Sequence, residues 1–227
     1  MFGAKNREVC DSKIDEKHIN KVVDYTLLSP SASIKDVEKF LCTAYKNKYY
    51  AVCVNPINVD YARRFVDIKL KGALKVVTVI GFPLGENLTE TKVFEIKQAI
   101  KDGADEVDVV APISRILSGD WAYVKNELVR VSRASRKIII KVIIETALLS
   151  KQEIIKISQL CVKSKIDYVK TSTGFADGGA TPEVVEIIKG AVKNKCGIKA
   201  SGGVQNKVQA VNLLRAGATR IGTSREI

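Results

Sequence analysis

Short runs of β-branched residues alternate with amphipathic segments along most of the chain. The spacing between successive runs is roughly 23 to 33 residues, the length of one strand with its following helix. Eight such units predict an α/β fold of one domain, a (β/α)8 TIM barrel over residues 21–227, preceded by an N-terminal helical segment at residues 1–20. The runs are VVDYT (22–26), YYAVCV (49–54), KVVTVI (75–80), DEVDVV (105–110), IIIKVIIE (138–145), DYVKT (167–171), GIKAS (197–201) and TRIGT (219–223).

The segments between these runs contain signals for helix ends. Ser33 and Ser150 each precede an amphipathic segment and have an acidic residue three positions later, which is the capping-box pattern. Thr181, followed by proline, is typical of a helix N-cap. Gly103 and Gly217 lie where helices are expected to end. Because no Pro- or Ser-rich linker interrupts this alternation, we expect a single domain.

The composition and the N-terminal sequence predict the cellular compartment of the protein. The 227 residues are 46% hydrophobic, which is enough for a full core. The N-terminal sequence has no apolar stretch of signal-peptide length, and lysines interrupt the longest apolar runs. The five cysteines are widely spaced without a CxxC pair, so neither a disulfide framework nor a zinc site is predicted. We therefore expect a cytoplasmic protein with reduced thiols.

The net charge of +12 would suit nucleic acid, an acidic membrane surface or a small anionic substrate. The lysines alternate with acidic residues, no basic block exceeds about three residues, and no aromatic residues are interleaved with a basic patch. This distribution favours solvated helix faces and a small anionic substrate, and we expect neither nucleic acid nor a membrane as a partner. A basic nucleic-acid-binding module remains the alternative from another functional class.

Charged residues recur at or near the ends of the predicted strands. They are Asp24, Asp108, Lys141, Lys170 and Lys199. In a TIM barrel the C-terminal strand ends surround one mouth, where active sites lie. A single buried lysine could belong to a structural ion pair, but three lysines and two aspartates at one mouth would each require compensation for lost hydration. This convergence predicts a catalytic site.

Two neighbouring lysines suggest a nucleophilic amine. A second cation and partial desolvation lower the pKa of a lysine, so that its neutral form can attack a carbonyl. Lys170 and Lys199 are on successive predicted strands, and Asp108, or a water that it holds, could move protons. Glu106 could instead be the buried partner of Lys141. The only histidine, His18, precedes the first strand, so a histidine triad or a histidine-ligated metal is not expected, and neither is a cofactor.

Glycines follow the last three predicted strands. Gly174 follows strand six, SGGV (201–204) follows strand seven, and GTS (222–224) follows strand eight. Loops after strands seven and eight commonly bind phosphate in TIM barrels, because glycine lets backbone N–H groups approach the anion. Ordinary turn glycines are the alternative for any one of them. Cys53, without a histidine partner, is expected to be a small buried apolar residue.

At these positions the chain resembles the deoxyribose-phosphate aldolase family. The matching motifs cover residues from about 20 to the C-terminus. They are VVDYTLL (22–28), AVCVNP (51–56), GADEVDVV (103–110), KVIIET (141–146), DYVKTSTGF (167–175) and IKASGGV (198–204). The resemblance implies a class I, metal-independent lyase that reversibly splits 2-deoxy-D-ribose 5-phosphate into D-glyceraldehyde 3-phosphate and acetaldehyde, in the catabolism of deoxyribonucleotides. Another class I aldolase for a longer sugar phosphate remains open, and so does a homodimer or higher homo-oligomer.

The resemblance also implies roles for individual residues. Lys170 would form the Schiff base, Lys199 would perturb it, and Asp108 would relay protons. Phe175 stands where many relatives have a lysine that assists phosphate binding. The chain stops at GTSREI, so the final helix and C-terminal tail of relatives are expected to be short or absent, either because this version is truncated or because something else closes the barrel. The phosphate ligands would be Gly174, Gly202, Gly203, Gly222, Thr223 and Ser224, and the supporting residues Asp24, Thr26, Cys53, Lys141 and Thr171.

Overall fold

Eight parallel strands form a closed barrel in a computed structural model that describes residues 16–227. The strands follow one another in chain order, and the last pairs with the first. They are β1 (Val23–Leu27), β2 (Ala51–Val54), β3 (Lys75–Ile80), β4 (Glu106–Val110), β5 (Ile139–Ile143), β6 (Tyr168–Lys170), β7 (Gly197–Ser201) and β8 (Arg220–Thr223). The predicted barrel and the eight predicted strand positions are confirmed.

Helices connect the strands around the outside of the barrel. They are α1 (Ile34–Lys46), α2 (Val59–Lys69), α3 (Thr89–Lys101), α4 (Ile113–Leu117), α5 (Trp121–Ala134), α6 (Lys151–Lys163), α7 (Pro182–Val192) and α8 (Lys207–Ala216). Short 3-10 helices span Glu16–Val22, Pro56–Asn58 and Thr146–Leu148. Of the predicted N-terminal segment 1–20, residues 16–20 are therefore helical and residues 1–15 lie outside the described range. None of the helices in that range is long and apolar enough to cross a membrane.

The predicted helix ends are confirmed. Ser33 and Ser150 close reciprocal capping boxes at the starts of α1 and α6, and the Thr181 side chain caps α7. Gly217 is the C-cap of α8, and Gly103 follows the C-cap of α3 with a positive φ of 95°. These local signals determine where each connection begins and ends.

The fifth strand is shorter than its predicted run. The run extends to residue 145, but β5 ends at Ile143. Glu145 adopts a left-handed conformation with φ of 48°, which strand geometry excludes. Its carboxylate accepts hydrogen bonds from the backbone N–H and the hydroxyl of Thr173, at 3.1 and 2.5 Å. The carboxylate therefore joins the loops after β5 and β6, and the prediction that Glu145 belongs to the strand was wrong.

The barrel interior has an apolar side and a charged side. Buried apolar residues on β2 and β3, together with Leu28 just after β1, form a small cluster of Leu28, Ala51, Cys53, Val77 and Val79. The larger core lies between the strands and the outer helices. Ionisable side chains occupy the interior on β1 and on β4 to β8, where they contact one another. Burial in this interior makes every one of these charges costly unless it is paired.

Candidate active site

Lys170 is the last residue of β6 and is 3% exposed. Its strand is fixed on both sides, because Ile144 N–H donates to the Lys170 carbonyl and Thr171 N–H donates to the Lys199 carbonyl, each at 3.0 Å. The Lys170 amine donates to Asp108 Oδ2 at 2.9 Å. The lysine predicted to act as nucleophile is therefore buried and faces a carboxylate.

Asp108 links the two lysines of the predicted pair. Lys170 and Lys199 are directly paired in the register of β6 and β7, and Lys199 Nζ donates to the same Oδ2 atom of Asp108 at 2.8 Å. The two amines thus share one oxygen. Asp108 and Lys199 are fully buried, so little water screens this contact. The predicted neighbourhood of Lys170, Lys199 and Asp108 is present.

Lys141 occupies the other side of Asp108. Its amine contacts Asp108 Oδ1 at 2.8 Å and Glu106 Oε2 at 2.5 Å. Glu106 and Asp108 lie two residues apart on β4 and therefore face the same side of the strand. Lys141 is consequently held by two carboxylates, and Glu106 is its buried partner as expected.

Arg220 also belongs to this cluster of contacting charged side chains, although it was not predicted from the sequence. It begins β8, and its Nη1 contacts Asp24 Oδ1 at 2.8 Å and Glu106 Oε2 at 3.1 Å. Its guanidinium lies over the rings of Tyr50 and Tyr168, with centroids at 3.9 and 5.3 Å. One signal was available: Arg220 and the singled-out Gly222 are two residues apart on one strand, so both face the barrel interior.

Asp24 closes the network between the first and last strands. Its Oδ2 accepts from Lys199 at 2.5 Å and lies 3.6 Å from Lys141 Nζ, while its Oδ1 accepts from Arg220. Asp24 is fully buried, so each of these contacts replaces lost hydration. The side chain therefore connects β1 to β5, β7 and β8.

The cluster contains more cations than carboxylates. Among the described residues its acidic members are three and its basic members are four, so full ionisation would leave one excess positive charge. An uncompensated charge in a buried site is unfavourable, and loss of one proton removes it. The acidic members are Asp24, Glu106 and Asp108, and the basic members are Lys141, Lys170, Lys199 and Arg220.

Lys170 is the cation best placed to lose a proton. Burial is the largest cause that lowers its pKa, Lys199 lowers it further, and Asp108 opposes both. Lys199 is also desolvated, but Asp108 and Asp24 together raise its pKa above the ordinary value. Three carboxylates, those of Asp108, Glu106 and Asp24, likewise raise the pKa of Lys141 above that of an exposed lysine, despite its burial. The pKa values of the three amines therefore shift in different directions, because Lys170 contacts one carboxylate, Lys199 two and Lys141 three.

The carboxylates of Asp108 and Asp24 remain ionised because nearby cations outweigh the effect of burial on their pKa values. Burial alone would raise the pKa of Asp108, but Lys141, Lys170 and Lys199 hold it well below its usual range. Burial also acts on Asp24, whose pKa Arg220 and Lys199 lower far below the ordinary value. Both groups consequently act as fixed negative charges at neutral pH and as weak bases.

Cys53 lies on β2 beside this cluster and is fully buried. Burial is the main reason that the pKa of its thiol is raised to about 11, and the Asp108 charge adds to the effect. A thiol with that pKa is protonated at neutral pH and is a poor nucleophile. The environment agrees with the expectation of a small buried apolar residue.

The two supporting threonines have different surroundings. Thr171 is buried, and its hydroxyl donates to the Ser201 carbonyl at 2.9 Å and accepts from Ser201 N–H at 3.0 Å, so it joins β6 to β7. Thr26 is only partly buried, and its hydroxyl donates to the carbonyl of Asp24 at 3.0 Å. Thr171 fixes the strand ends that contain the two central lysines, whereas Thr26 lies nearer the opening.

The glycine loops after β6 and β7 lie against each other. Gly174, Gly202 and Gly203 have φ values of 84°, 85° and 74°, in the left-handed region that favours glycine. An added Cβ at Gly174 would lie 3.9 Å from the Cα of Gly202. Within residues 16–227, the backbone N–H groups of Gly174, Gly203 and Ser224 have no hydrogen-bond acceptor. These donors are available to an anion at the barrel mouth.

Gly222 and Thr223 have clear structural roles. A Cβ at Gly222 would lie 2.9 Å from Ser201 Cβ and 3.0 Å from Lys199 Cε, so a side chain there would displace the lysine. The Thr223 hydroxyl donates to the Val204 carbonyl at 2.7 Å and accepts from Arg225 N–H at 3.0 Å. Gly222 therefore provides space for Lys199, and the Thr223 hydroxyl is already engaged within the fold.

Two further hydroxyls near the mouth were not singled out from the sequence. Thr146 Oγ1 and Ser172 Oγ follow β5 and β6, are buried and have no hydrogen-bond partner. Phe175, at the position of the missing lysine, is 57% exposed, and its ring contacts Phe82 edge-on at 5.1 Å. The rim thus combines unpaired hydroxyls with an aromatic pair. Across residues 16–227, no group of three or more His, Cys, Asp or Glu side chains is arranged to hold a metal ion.

Comparison with known proteins finds the same architecture and related sequences. The model of the DeoC/LacD family aldolases matches residues 10–224. The deoxyribose-phosphate aldolase of Clostridium perfringens (strain 13 / Type A) is 44% identical over 216 residues, which cover 94% of this chain and 95% of the relative. A solved aldolase called QR15 is 40% identical with a TM-score of 0.86, covering 91% of each chain. The tetrameric deoxyribose phosphate aldolase of Aeropyrum pernix is 30% identical with a TM-score of 0.82, covering 92% of this chain and 88% of that structure.

Proposed function

The chain belongs to the DeoC/LacD family of aldolases, and on that premise we propose that it cleaves 2-deoxy-D-ribose 5-phosphate reversibly through a Schiff base on Lys170. The products are D-glyceraldehyde 3-phosphate and acetaldehyde. The chain is thus an enzyme, a carbon–carbon lyase, built on a TIM barrel.

One observation carries the proposal: the excess of one cation in the buried cluster, together with the lowered pKa of Lys170. Lysine attacks carbonyl carbon only through its neutral amine, and an unperturbed lysine is neutral about 0.04% of the time at pH 7. Loss of the Lys170 proton makes the cluster electrically neutral, so burial favours the reactive form. The fold therefore supplies a neutral amine without a separate strong base.

The chemistry begins when the Lys170 amine attacks C1 of the open-chain sugar. Water leaves the resulting carbinolamine, and a protonated imine forms. Removal of the proton from the C3 hydroxyl then breaks the C2–C3 bond, and its electron pair moves into the imine to give an enamine. Protonation of C2 and addition of water release acetaldehyde and restore the amine. The iminium acts as the electron sink, so the proposed steps require no metal.

Asp108 contributes through its position and charge. Its Oδ2 contacts both Lys170 and Lys199, so a proton that leaves Lys170 can pass to this carboxylate and then to a held water, while Lys199, whose pKa is raised, stays protonated. Because the pKa of Asp108 lies well below its usual range, the carboxylate stores a proton only transiently. We therefore assign it to relay protons and to stabilise the iminium charge, while a held water or a hydroxyl carries protons to and from carbon.

The substrate phosphate is assigned to the glycine loops. The unpaired N–H groups of Gly174, Gly203 and Ser224 supply donors, and with Phe175 replacing a lysine the binding depends more on this backbone. Ser224→Glu should raise KM for the phosphorylated sugar at least about tenfold, with little effect on unphosphorylated deoxyribose, because a carboxylate repels the dianion. Ser224→Gln, of similar size without the charge, is the control. Equal losses on both sugars would remove the loop from phosphate binding.

The Schiff base is tested by trapping. Borohydride added during turnover with acetaldehyde should reduce the imine and leave a stable two-carbon adduct, which peptide mapping should locate on Lys170. Lys170→Arg retains a cation that is not deprotonated near neutral pH and should form no adduct. An adduct on Lys199 would reverse the two lysine roles. Acetaldehyde as the only donor also separates this reaction from that of an aldolase with a longer donor.

A further inference from the structure

A cavity lies at the opposite face of the barrel from the glycine loops. It has a volume of about 500 Å³ and lies between the C-terminal ends of α5 and α6, at the starts of β5 and β6. This volume is in the range of small-molecule sites. The lining residues are Val129, Ser132, Arg133, Ser135, Arg136, Ile140, Lys163, Ser164, Lys165 and Asp167.

The charge of this cavity is strongly positive. Four of its lining residues are cations, Arg133, Arg136, Lys163 and Lys165, and none of them forms an ion pair among the described residues. The one acidic lining residue is Asp167. Its Oδ2 accepts a hydrogen bond from Ile140 N–H, near the start of β5, at 3.1 Å. The cavity is therefore lined by four cations and one carboxylate, which leaves an excess of positive charge.

Helix dipoles explain the positions of only two of these four cations. Arg133 and Lys163 lie in the last turns of α5 and α6, where a cation stabilises the helix end. Arg136 and Lys165 lie beyond the helix ends, so this explanation does not apply to them. The last-turn carbonyls are also largely paired: Val131 accepts from Ser135 N–H, and Val162 accepts from Lys165 N–H. Donors rather than acceptors therefore dominate the wall.

A buried hydroxyl in the same wall has no partner. Ser164 is 6% exposed, and its Oγ makes no hydrogen bond in the structure. A buried hydroxyl without a partner costs free energy, and a bound acceptor would remove that cost. Ser164 follows directly after α6, so its hydroxyl and the side chains of Lys163 and Lys165 come from one short turn. This arrangement is independent of the charge count and also indicates an acceptor-rich ligand.

We propose that this cavity, lined by Arg133, Arg136, Lys163, Lys165 and Ser164, binds a small phosphate-bearing anion. The four cations supply charge, the two guanidiniums supply paired donors for phosphate oxygens, and the Ser164 hydroxyl donates one further hydrogen bond. The site is separate from the glycine loops, which lie at the other ends of the strands. Each chain therefore has two anion sites, one for the substrate and one at the opposite face.

Equilibrium dialysis with labelled pyrophosphate at low salt tests the proposal. The wild-type chain should bind two pyrophosphates, and Arg136→Gln/Lys165→Gln should lower the affinity of one site at least about tenfold. Lys125→Gln/Lys151→Gln, which removes two exposed lysines from the same helices outside the cavity, should leave both sites intact. Ser164→Ala should weaken the same site about fivefold, because one neutral hydrogen bond is lost.

Ser224→Glu separates this site from the proposed phosphate loops. The variant should lose the substrate-side pyrophosphate and retain the one that depends on Arg136 and Lys165. Thermal unfolding of each variant checks that the fold is intact. Binding of a single pyrophosphate that Ser224→Glu abolishes, or equal affinity in the cavity variant and its lysine control, would overturn the second site. If Ser224→Glu changes nothing while the cavity variant loses one pyrophosphate, only the phosphate-loop assignment fails.

Discussion

Lys92 on α3 and Lys170 on β6 are both buried lysines that contact a carboxylate, but their surroundings differ in the balance of charge. Lys92 Nζ donates to Glu127 Oε1 at 2.6 Å and to the Val110 carbonyl at 3.0 Å, and Thr89 donates to the other Glu127 oxygen. That site has one cation and one carboxylate. Lys170 instead shares its carboxylate with other amines in a cluster with surplus positive charge. Burial alone therefore does not make a lysine a nucleophile, whereas a surplus of cations around it favours loss of its proton.

Lys170→Met should produce the largest effect on activity. It removes the amine, and we expect the rate of cleavage to fall on the order of 10⁴-fold or more, as when other enzymes lose a nucleophile. The remaining cluster would contain three cations and three carboxylates, so the free energy of unfolding should stay close to that of the wild type. Steady-state kinetics and urea unfolding measure the two quantities. A variant that unfolds readily would contradict the charge count.

Lys92→Met should show the reverse pattern. It leaves Glu127 buried without its cation, and such a change typically costs about 3 to 5 kcal/mol of stability. The kcat of the folded fraction should be unchanged, because Lys92 lies outside the barrel interior. Lys92→Met/Glu127→Leu should recover much of the loss, since no unpaired charge remains. If the single variant lost activity at full stability, the distinction between the two lysines would fail.

Lys199→Leu tests which neighbour activates Lys170. Its removal leaves Asp108 to interact with fewer cations, which strengthens the contact that raises the pKa of Lys170. We expect kcat to fall about 10²-fold and Schiff-base formation to require higher pH. The pH dependence of borohydride trapping measures the shift, with Lys195→Leu, at a position before β7, as the control. An unchanged pH profile would mean that burial alone activates the amine.

A smaller effect than those above is expected on the pH dependence of stability, which should differ between the wild type and Lys170→Met. Lys170 has a lowered pKa in the folded state, so the unfolded chain binds more protons between that pKa and about 10.4. Wild-type stability should therefore rise relative to the variant as pH increases through this window, by roughly 1.4 kcal/mol for each unit of pKa difference. Urea unfolding from pH 7 to 10 provides the measurement, and parallel curves would argue that Lys170 titrates normally.

Much of the fold could be predicted from the sequence because the strand and helix signals are local. Capping residues such as Ser33 and Ser150 specify helix starts, and the β-branched runs specify strands. The fifth strand was predicted too long because its apolar run continues past Ile143, whereas the end is determined by the left-handed turn at Glu145. That turn depends on a contact with Thr173 in the next loop, which a local pattern does not contain.

Most members of the candidate site were predicted from the sequence, but Arg220 and the charge balance were not. The five strand-end residues were visible because charges are unusual in apolar runs. Arg220 was missed because it stands at the start of its strand, where a charged residue is ordinary. With Glu106 counted as the partner of Lys141, the predicted members contain three cations and three carboxylates, and Arg220 supplies the surplus cation. Gly222 was assigned to phosphate from its loop, and the structure adds that it makes room for Lys199.

The contact between Arg220 and Asp24 has a consequence for protein synthesis. Asp24 is in the first strand and Arg220 in the last, so the charge cluster is complete only when both ends of the barrel have been made and joined. A ribosome-bound chain that stops before residue 220 contains both central lysines but lacks one cation and the closing strand. Such a chain lacks the surplus charge that favours a neutral Lys170. In the proposed mechanism, Lys170 therefore becomes an activated amine only after β8 has paired with β1.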